Sequence, residues 1–281
     1  MNKEKIAIVI LNYQTWEETI EQAEAVRDLF DLKWEQIIVV DNASPNESAC
    51  KLMEKDKKDY MLICSDTNKG YASGNNIGIR YARRKGFRYV WILNNDVLLE
   101  DERLLRDMTE IFEKDDSVAV VNPDIYSPEG RLFNRDSKRY DFYDLTIGIF
   151  SYRKRGRKID ELDGYGYIYR PQGCCMMLDL NKLEKAGDLD EHTFLYCEEI
   201  ILAEKLRAFH YHCACLLNHK VIHNHSKTVK SVFKRSKWNE IYVESYKYYL
   251  KKYRYYNECR VFLCIIFWRL KNILLTLRER D

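Results

Sequence analysis

No stretch of this 281-residue chain runs apolar and uncharged for the roughly 18 residues that a membrane-spanning helix needs, so no spanning helix is expected. Net charge is nearly absent too. Lys and Arg number 46 against 44 Asp and Glu, a formal +2, which argues against a nucleic-acid partner held through bulk charge. Met1 leads through Asn2-Lys3-Glu4-Lys5 straight into an apolar strand signal, without the apolar stretch and cleavage site of a secretory leader. The chain carries nine cysteines, but a disulfide framework belongs to small secreted chains; free thiols in a reducing cytoplasm are expected instead. Cys50, Cys64, Cys174, Cys175, Cys197, Cys259 and Cys264 sit mostly among apolar neighbours, as buried thiols do. There is no Gly-Lys-Ser/Thr of a P-loop, no internal repeat, and no Gly-x-x-x-Arg signature of a nucleotidyltransferase after the first strand signal.

What the chain does have is core-forming residues, 46% hydrophobic and 13% aromatic, enough for one large α/β domain with an appendage or for two small domains. Apolar runs at 6–12, 36–41, 60–65, 89–94 and 118–121 read as strands, and the segments 16–30, 46–58, 73–86 and 101–114 between them read as helices. That alternation is the sequence form of a mostly parallel sheet flanked by helices. Ser44-Pro45 and Asp101 are placed to open the second and fourth helices. Residues 122–170, with Pro123, Pro128 and several glycines, read as a long connection with little regular structure, a length that is usually functional. Beyond it come helices near 179–186 and 198–208, a strand pair around 211–224, and a Tyr-rich helical tail from about 236. Basic residues crowd into Arg153-Lys154-Arg155-Gly156-Arg157-Lys158 and recur from Lys227 to Arg280, leaving the front half comparatively acidic.

Three strand signals end in small polar residues: Leu11 in Asn12-Tyr13, Val40 in Asp41-Asn42, and Leu93 in Asn94-Asn95-Asp96. Open α/β sheets bind ligands beyond the carboxyl ends of their strands, so this edge is the candidate site. Asp41 reads either as a turn residue or as a carboxylate accepting from a base N–H or a ribose hydroxyl. Asn68 through Gly78 sets glycines before a helix, which allows a tight turn and close backbone approach at an end that favours anions. Asp96 alone is a poor metal site, but a nucleotide diphosphate would supply the oxygens that a hard cation still lacks. Glu198 and Glu199 would gain from a helix N-terminus as a solvated cap. The apolar Phe194-Leu195-Tyr196 before them instead sets the pair near a core, where a carboxylate can serve as general base. His210, His212, Cys213, Cys215, His219, His223 and His225 invite a zinc reading, yet their period of two fits strand alternation and their spacing matches no standard zinc module. One histidine acting alone is the preferred reading.

In order along roughly residues 5–230, these segments resemble a family 2 glycosyltransferase of the GT-A fold, close to the rhamnosyltransferase-like bacterial members. The strongest match is Asn68-Lys69-Gly70-Tyr71-Ala72-Ser73-Gly74-Asn75-Asn76-Ile77-Gly78. Asp188-Leu189-Asp190, Phe194-x-Tyr196-x-Glu198-Glu199 and Val221-Ile222-His223 follow it. The resemblance implies a GT-A domain over 1–235, with a nucleotide-binding half (1–121) and an acceptor-binding half (122–235), and a helical extension over 236–281. It implies that Asn12, Tyr13 and Asp41 hold the nucleoside, and that Asn68, Gly70 and Asn75 line the sugar-nucleotide pocket. Asn94-Asn95-Asp96 stands where the family has Asp-x-Asp. Asp96 with His223 would hold Mg²⁺ or Mn²⁺, and Asn94 and Asn95 would lie on the donor side. Glu199 would be the catalytic base of an inverting transfer and Glu198 an acceptor-binding group. Asn94 in place of an aspartate implies weaker metal affinity, and Glu199 is one methylene longer than the usual Asp.

The implied donor is dTDP-rhamnose or a UDP-sugar, and the implied acceptor a saccharide, often lipid-linked. The tail then gains meaning. The octet Val261–Trp268, flanked by Arg260, Arg269, Lys271, Arg278 and Arg280, is too short to span. It fits a helix lying in the inner membrane interface, with Trp268 at headgroup depth. Packing on the catalytic domain, or a homodimer seam, is the alternative. The rival functional readings are a nucleotidyltransferase and a non-catalytic, membrane-bound assembly factor, which would have little reason to keep both Asp96 and Glu199.

Overall fold

The structure is a computed structural model that describes residues 3–151, 159–224 and 235–278. Four strands, β1 (Ile6–Asn12), β2 (Ile37–Asp41), β3 (Met61–Cys64) and β4 (Tyr89–Leu93), pair in parallel in the order β3-β2-β1-β4. Side chains alternate faces along a strand, and β1 shows both destinations. Ile6, Ile8 and Ile10 pack with Ala23, Val26 and Phe30 of α1 (Trp16–Phe30) and with Leu104, Leu105 and Met108 of α4 (Leu104–Lys114). Ala7 and Val9 face the other way, onto a core that includes Ala72, Ile79 and Ala82 of α3 (Tyr71–Arg84). Gly74 and Gly78 lie inside α3, as the helix expected over 73–86 has them, and they let the helix settle onto the sheet. A Cβ on Gly78 would stand 2.6 Å from Val9 Cγ1, and one on Gly74 2.5 Å from Leu11 Cδ1.

Past β4 the sheet changes character. β5 (Val97–Leu98), β6 (Val118–Tyr126), β7 (Tyr165–Ile168), β8 (Cys175–Asp179) and β9 (His212–His223) extend it as β4-β8-β6-β9-β5, with β7 also on β9. Of these pairings only β6 with β9 is parallel, so the sheet is mixed rather than mostly parallel. The expected strand pair at 211–224 is one long strand, bent where Asn218 takes φ 66°. The strand expected at 118–121 runs on through Pro123 to Tyr126, because a register shift between Pro123 and Asp124 accommodates a residue that cannot donate to a ladder. The second helix, expected over 46–58, shortens to α2 (Ser48–Met53); Lys57 at φ 58° and the Tyr60 hydroxyl on the Leu52 carbonyl turn the chain back. Residues 122–170 hold more structure than expected, namely the end of β6, the single turn α5 (Phe142–Leu145), a 3₁₀ turn at Ile147–Phe150 and β7. The basic run 153–158, His225 and Arg280 lie outside the described residues.

Two further helices, α6 (Leu180–Ala186) and α7 (Glu198–Ala208), complete the α3 side of the sheet. The tail forms α8 (Arg235–Lys252) and α9 (Glu258–Arg278). Val243, Tyr246, Tyr249 and Leu250 of α8 and Val261, Cys264 and Ile265 of α9 build a third core on Cys197 and Ile201 at the start of α7. Trp268, expected at headgroup depth, instead stacks on Tyr242 with ring centroids 4.5 Å apart. All nine cysteines are unpaired, and Cys50, Cys64 and Cys259 are exposed, contrary to the burial expected of them. No helix among the described residues is long and apolar enough to cross a membrane.

Leu250 is fully buried at the centre of the third core. Leu250→Ala is expected to cost roughly 2–5 kcal/mol of unfolding free energy, read from the urea midpoint; an unchanged midpoint would show that the tail folds apart from the sheet.

Candidate active site

The polar ends of β1 and β2 are knotted together. Asn12 Nδ2 donates to Asp41 Oδ1 at 2.6 Å, and the Ser44 hydroxyl and backbone N–H donate to the two Asp41 oxygens at 2.6 and 3.0 Å. Thr19 of α1 donates to Asn12 Oδ1 at 2.9 Å. Asn12 and Asp41 are buried, and the Asn12 amide is committed to Asp41, Ser44 and Thr19, so Asn12 acts on this edge by fixing Asp41. Ser44 therefore belongs to this knot, while α2 starts later with Glu47 as its capping position. Tyr13 is half-buried beside it.

The segment before α3 is clamped from two sides. Asn68 Oδ1 accepts from Asn42 Nδ2 at 3.0 Å and from the Gly70 N–H at 2.9 Å. Gly70 holds φ 97°, and a Cβ there would stand 2.0 Å from the Phe194 carbonyl oxygen, which accepts the Tyr71 N–H at 3.0 Å. Only glycine meets both demands. Asn75 is buried and donates to the Tyr71 carbonyl, and Asn76 binds the Leu189 backbone and Glu191. The glycine-rich stretch thus docks the helix onto both the sheet and the 188–194 segment.

At the end of β4, Asn95 Nδ2 donates to Thr15 Oγ1 and Thr19 Oγ1, each at 2.8 Å, while the Asn94 N–H donates to the Cys174 carbonyl at 2.8 Å. The β5–β9 pairing and the Asn224 N–H on the Asp96 carbonyl at 2.9 Å bring His223 beside Asp96. His223 Nε2 stands 3.2 Å from Asp96 Oδ1, both side chains nearly buried, and that oxygen has no hydrogen-bond partner. A buried carboxylate oxygen facing an imidazole nitrogen, with no hydrogen bond to satisfy it, suits a divalent cation whose remaining ligands come from a substrate. No third protein ligand joins them among the described residues. Of the other grouped histidines, His219 is pinned between Asp101 at 2.8 Å and Asp107 at 3.2 Å, and His212 stacks on Tyr167. Asp101 Oδ1 accepts the Arg103 N–H at 3.0 Å in the turn that leads into α4 at Leu104, as a cap does, while its other oxygen holds His219.

Glu198 and Glu199 open α7 directly after two strained residues. Tyr196 and Cys197 have φ 74° and 67°, left-handed backbone that costs a non-glycine residue energy and that clusters at functional sites. Contacts hold this turn in place: Tyr196 lies against Trp238 and Tyr242, and Ser245 Oγ donates to the Leu195 carbonyl at 2.8 Å. Glu199 Oε1 accepts the Gly173 N–H at 3.1 Å, and the Tyr71 hydroxyl donates to the Gly173 carbonyl at 2.7 Å. The buried Cys174 thiol next door is pushed well up by burial first, then by Cys175, Glu199 and Asp96. Glu198 is the more buried of the pair, its Oε1 has no partner, and burial followed by the Glu199 charge pushes its carboxyl up to about 8.

Unsatisfied buried polar atoms are rare in folded proteins and call for an explanation. Here Asn42 Oδ1, Asn75 Oδ1, Asp96 Oδ1 and Glu198 Oε1 all lack a hydrogen-bond partner, and all four belong to the motif segments. Thr15 and Thr19 are positioning residues that the sequence did not single out, whereas Ser44 reads there only as a helix opener and Tyr71 only as part of the 68–78 motif. The i, i+4 spacing of Thr15 and Thr19, which faces them the same way on a helix, was the signal available.

The model of the glycosyl transferase family 2 domain matches residues 7–183. The low-salt glycan biosynthesis hexosyltransferase Agl10 of Haloferax volcanii is 27% identical over 211 residues, which are 72% of this chain and 61% of that protein. The chain thus spans about three fifths of that relative. Two solved structures share its GT-A fold. The mannosyltransferase PcManGT of Pyrobaculum calidifontis, in complex with GDP-Man and Mn²⁺, has TM-score 0.55 at 16% identity over 86% of this chain and 61% of its own. GalNAc-T7 with UDP, GalNAc and Mn²⁺ has TM-score 0.59 at 12% identity over 89% of this chain and 48% of its own.

Glu198 keeps its proton in the fold up to about pH 8, whereas in the unfolded chain it loses it near the ordinary 4.5. Folded stability therefore falls as pH rises through that window, and the loss is complete above it. Glu198→Gln escapes this loss. Its advantage over the parent in urea unfolding is expected to widen by up to about 1.4 kcal/mol per pH unit across the window; a difference that ignores pH would show that Glu198 titrates normally.

Proposed function

Because the chain belongs to glycosyl transferase family 2, we propose that it is an inverting glycosyltransferase that moves a sugar from a nucleotide diphosphate donor to a hydroxyl of a saccharide acceptor. The observation that carries this reading is the pairing of Asp96 with His223 at one end of the Gly173–Cys174 segment and the Glu198–Glu199 pair at the other. In the reaction, Glu199 takes the proton of the acceptor hydroxyl as the new C1–O bond forms and the C1–O bond to diphosphate breaks, the electron pair leaving with the diphosphate. Glu199 is the more exposed of the two acids, as a base that must reach substrate requires, and the Gly173 N–H orients it. Glu198, neutral at pH 7, has a hydrogen to donate and suits a sugar hydroxyl better than a proton transfer. Asp96 and His223 would hold Mg²⁺ or Mn²⁺, which when bound neutralises charge on the leaving diphosphate. The Mn²⁺ complexes of PcManGT and GalNAc-T7 support that choice of ion.

Asp41, held rigid by Asn12 and Ser44, would receive the nucleoside beside Tyr13, with Asn68, Gly70, Asn75, Asn94 and Asn95 around the donor. The finer reading is a dTDP-rhamnose or UDP-sugar donor and a lipid-linked acceptor in bacterial surface polysaccharide synthesis, at the cytoplasmic face of the membrane. A GT-A unit over 1–235 with its extension over 236–281 fits that role. Phe262, Leu263, Leu270, Ile273 and Leu274 of α9 are exposed, with Arg260, Arg269 and Lys271 among them, a pattern suited to an anionic interface.

A panel of nucleotide sugars, read by release of nucleoside diphosphate with and without EDTA, is expected to give one productive donor and a loss of release on chelation. Glu199→Gln should lose about 10²-fold or more in turnover with donor affinity kept. Asp96→Ala should lose cation-assisted nucleotide binding, and Asp41→Ala should weaken the nucleoside itself. Release from no donor overturns the enzymatic reading, and an active Glu199→Gln beside an inactive Glu198→Gln reverses the two roles. Separately, the protein is expected to sediment with anionic vesicles at low salt and Phe262→Glu/Ile273→Glu is not; a parent protein that ignores such vesicles sinks the interfacial role of α9.

A further inference from the structure

At the far end of α7 from the acid pair lies a cavity of about 370 Å³ whose wall carries Arg139, Lys205, Arg207, Lys252 and Arg254, with Glu204 the one carboxylate among its described lining residues. Three guanidinium groups converge on that carboxylate. Arg139 meets it with two nitrogens at 2.7 and 3.0 Å, Arg207 Nε stands at 3.5 Å and Arg254 Nε at 3.9 Å, and the Tyr169 hydroxyl donates to it at 2.6 Å. Lys205 Nζ is held by the Gly187 and Asp188 carbonyls at 2.8 and 2.5 Å, but one carboxylate cannot satisfy three guanidinium groups.

Part of this charge has an ordinary explanation. Lys205, Arg207 and Lys252 lie in the last turns of α7 and α8, where basic side chains complement the helix dipole. Arg139 and Arg254 lie outside any helix, and the dipole does not account for them. The Arg254 side chain is only 5% exposed, and its hydrogen bonds go to neutral hydroxyls, Tyr249 at 2.9 Å and Tyr256 at 3.4 Å. The negative charge nearest to it, Glu204 at 3.9 Å, is already held by both Arg139 nitrogens and the Tyr169 hydroxyl, and a buried guanidinium gains from a closer, hydrogen-bonded anion. Burial also lowers the Lys205 pKa, against the pull of Asp190 and Asp188. At the rim, Phe209 and Tyr255 are 48% and 88% exposed, and the chain beside each is held in left-handed backbone, His210 at φ 61° and Tyr255 itself at φ 55°.

We propose that this cavity is a second anion site, separate from the Asp96 site, that takes a phosphate or diphosphate group. With Arg139 held on Glu204, the Arg207 and Arg254 guanidinium planes and the Lys252 ammonium around an open volume match the several oxygens of such a group, and the exposed rings flank its entrance. The site shares α7 with Glu198 and Glu199. Lys205 lies six residues past Glu199, about 9 Å along the axis, so an acceptor that carries such a group has an anchor on the helix that presents the acid pair. The inference does not rest on the glycosyl-transfer reading, since the charges are there whatever the reaction.

The test is a calorimetric titration of the full chain with inorganic pyrophosphate in EDTA, which removes cation-assisted binding at Asp96. The parent protein and Asp96→Ala are expected to bind alike. Arg207→Glu/Lys252→Glu, which changes two exposed rim residues, is expected to bind roughly tenfold more weakly or worse, with an unchanged melting transition as the check on folding. Arg139→Ala should weaken binding in the same direction. No heat from the parent protein overturns the proposal, and so does a loss in Asp96→Ala that the rim variant does not share. Neutral vesicles with and without a long-chain alkyl diphosphate separate the sources. Sedimentation with the doped vesicles alone, lost in the rim variant, assigns the site to a lipid headgroup; binding of pyrophosphate without it assigns the site to a free anion.

Discussion

A sheet buried on both faces leaves polar side chains one way out, at the ends of its strands. β1, β2 and β4 are apolar on both sides, so Asn12, Asp41 and Asn94-Asn95-Asp96 emerge together at one edge, and every other part of the site is built against that edge. α1 contributes Thr15 and Thr19, which hold the ends of β1 and β4. α3 contributes Tyr71, and the turn into β8 contributes Gly173. α7 brings the two acids, and the α8–α9 hairpin braces the strained turn before them.

That division of labour explains what the sequence makes legible. Parallel strands of the first half announce themselves as unbroken apolar runs ending in polar residues, and every strand expected there is present. The carboxyl-edge residues follow from the strand ends alone. The second half is harder for physical reasons. The bend at Asn218 depends on one residue in left-handed backbone, and the passage of β6 through Pro123 depends on a register shift; neither leaves a periodic trace. The docking role of Gly74 and Gly78 is not legible in the sequence, because a glycine that admits a sheet and a glycine that admits a phosphate look the same until the neighbour within 2.6 Å is known. Trp268 was assigned outward on its basic flanks, but its partner, Tyr242, is 26 residues away, beyond the reach of any local pattern.

The two acids show how environment divides identical side chains between tasks. Glu198 and Glu199 are adjacent, yet successive helix positions point about 100° apart. One therefore turns into the interior and the other meets the Gly173 N–H. Burial raises the first, and its neutral state removes the repulsion that two adjacent carboxylates would otherwise impose. The strain at Tyr196 and Cys197 is the cost of starting the helix at that angle, and the aromatic contacts of α8 offset it.

The contact between Gly70 and the Phe194 carbonyl also bears on how freely such a chain exchanges its parts. The two residues are more than a hundred positions apart in the chain, and the Tyr71 N–H closes the joint from the first segment onto the second. A hybrid that kept residues 1–121 and borrowed the remainder from a relative would inherit a glycine shaped for a carbonyl it no longer meets. This backbone joint, like the β4–β8 pairing, is set before any side chain is considered, and such an exchange succeeds only between chains that set it in the same place.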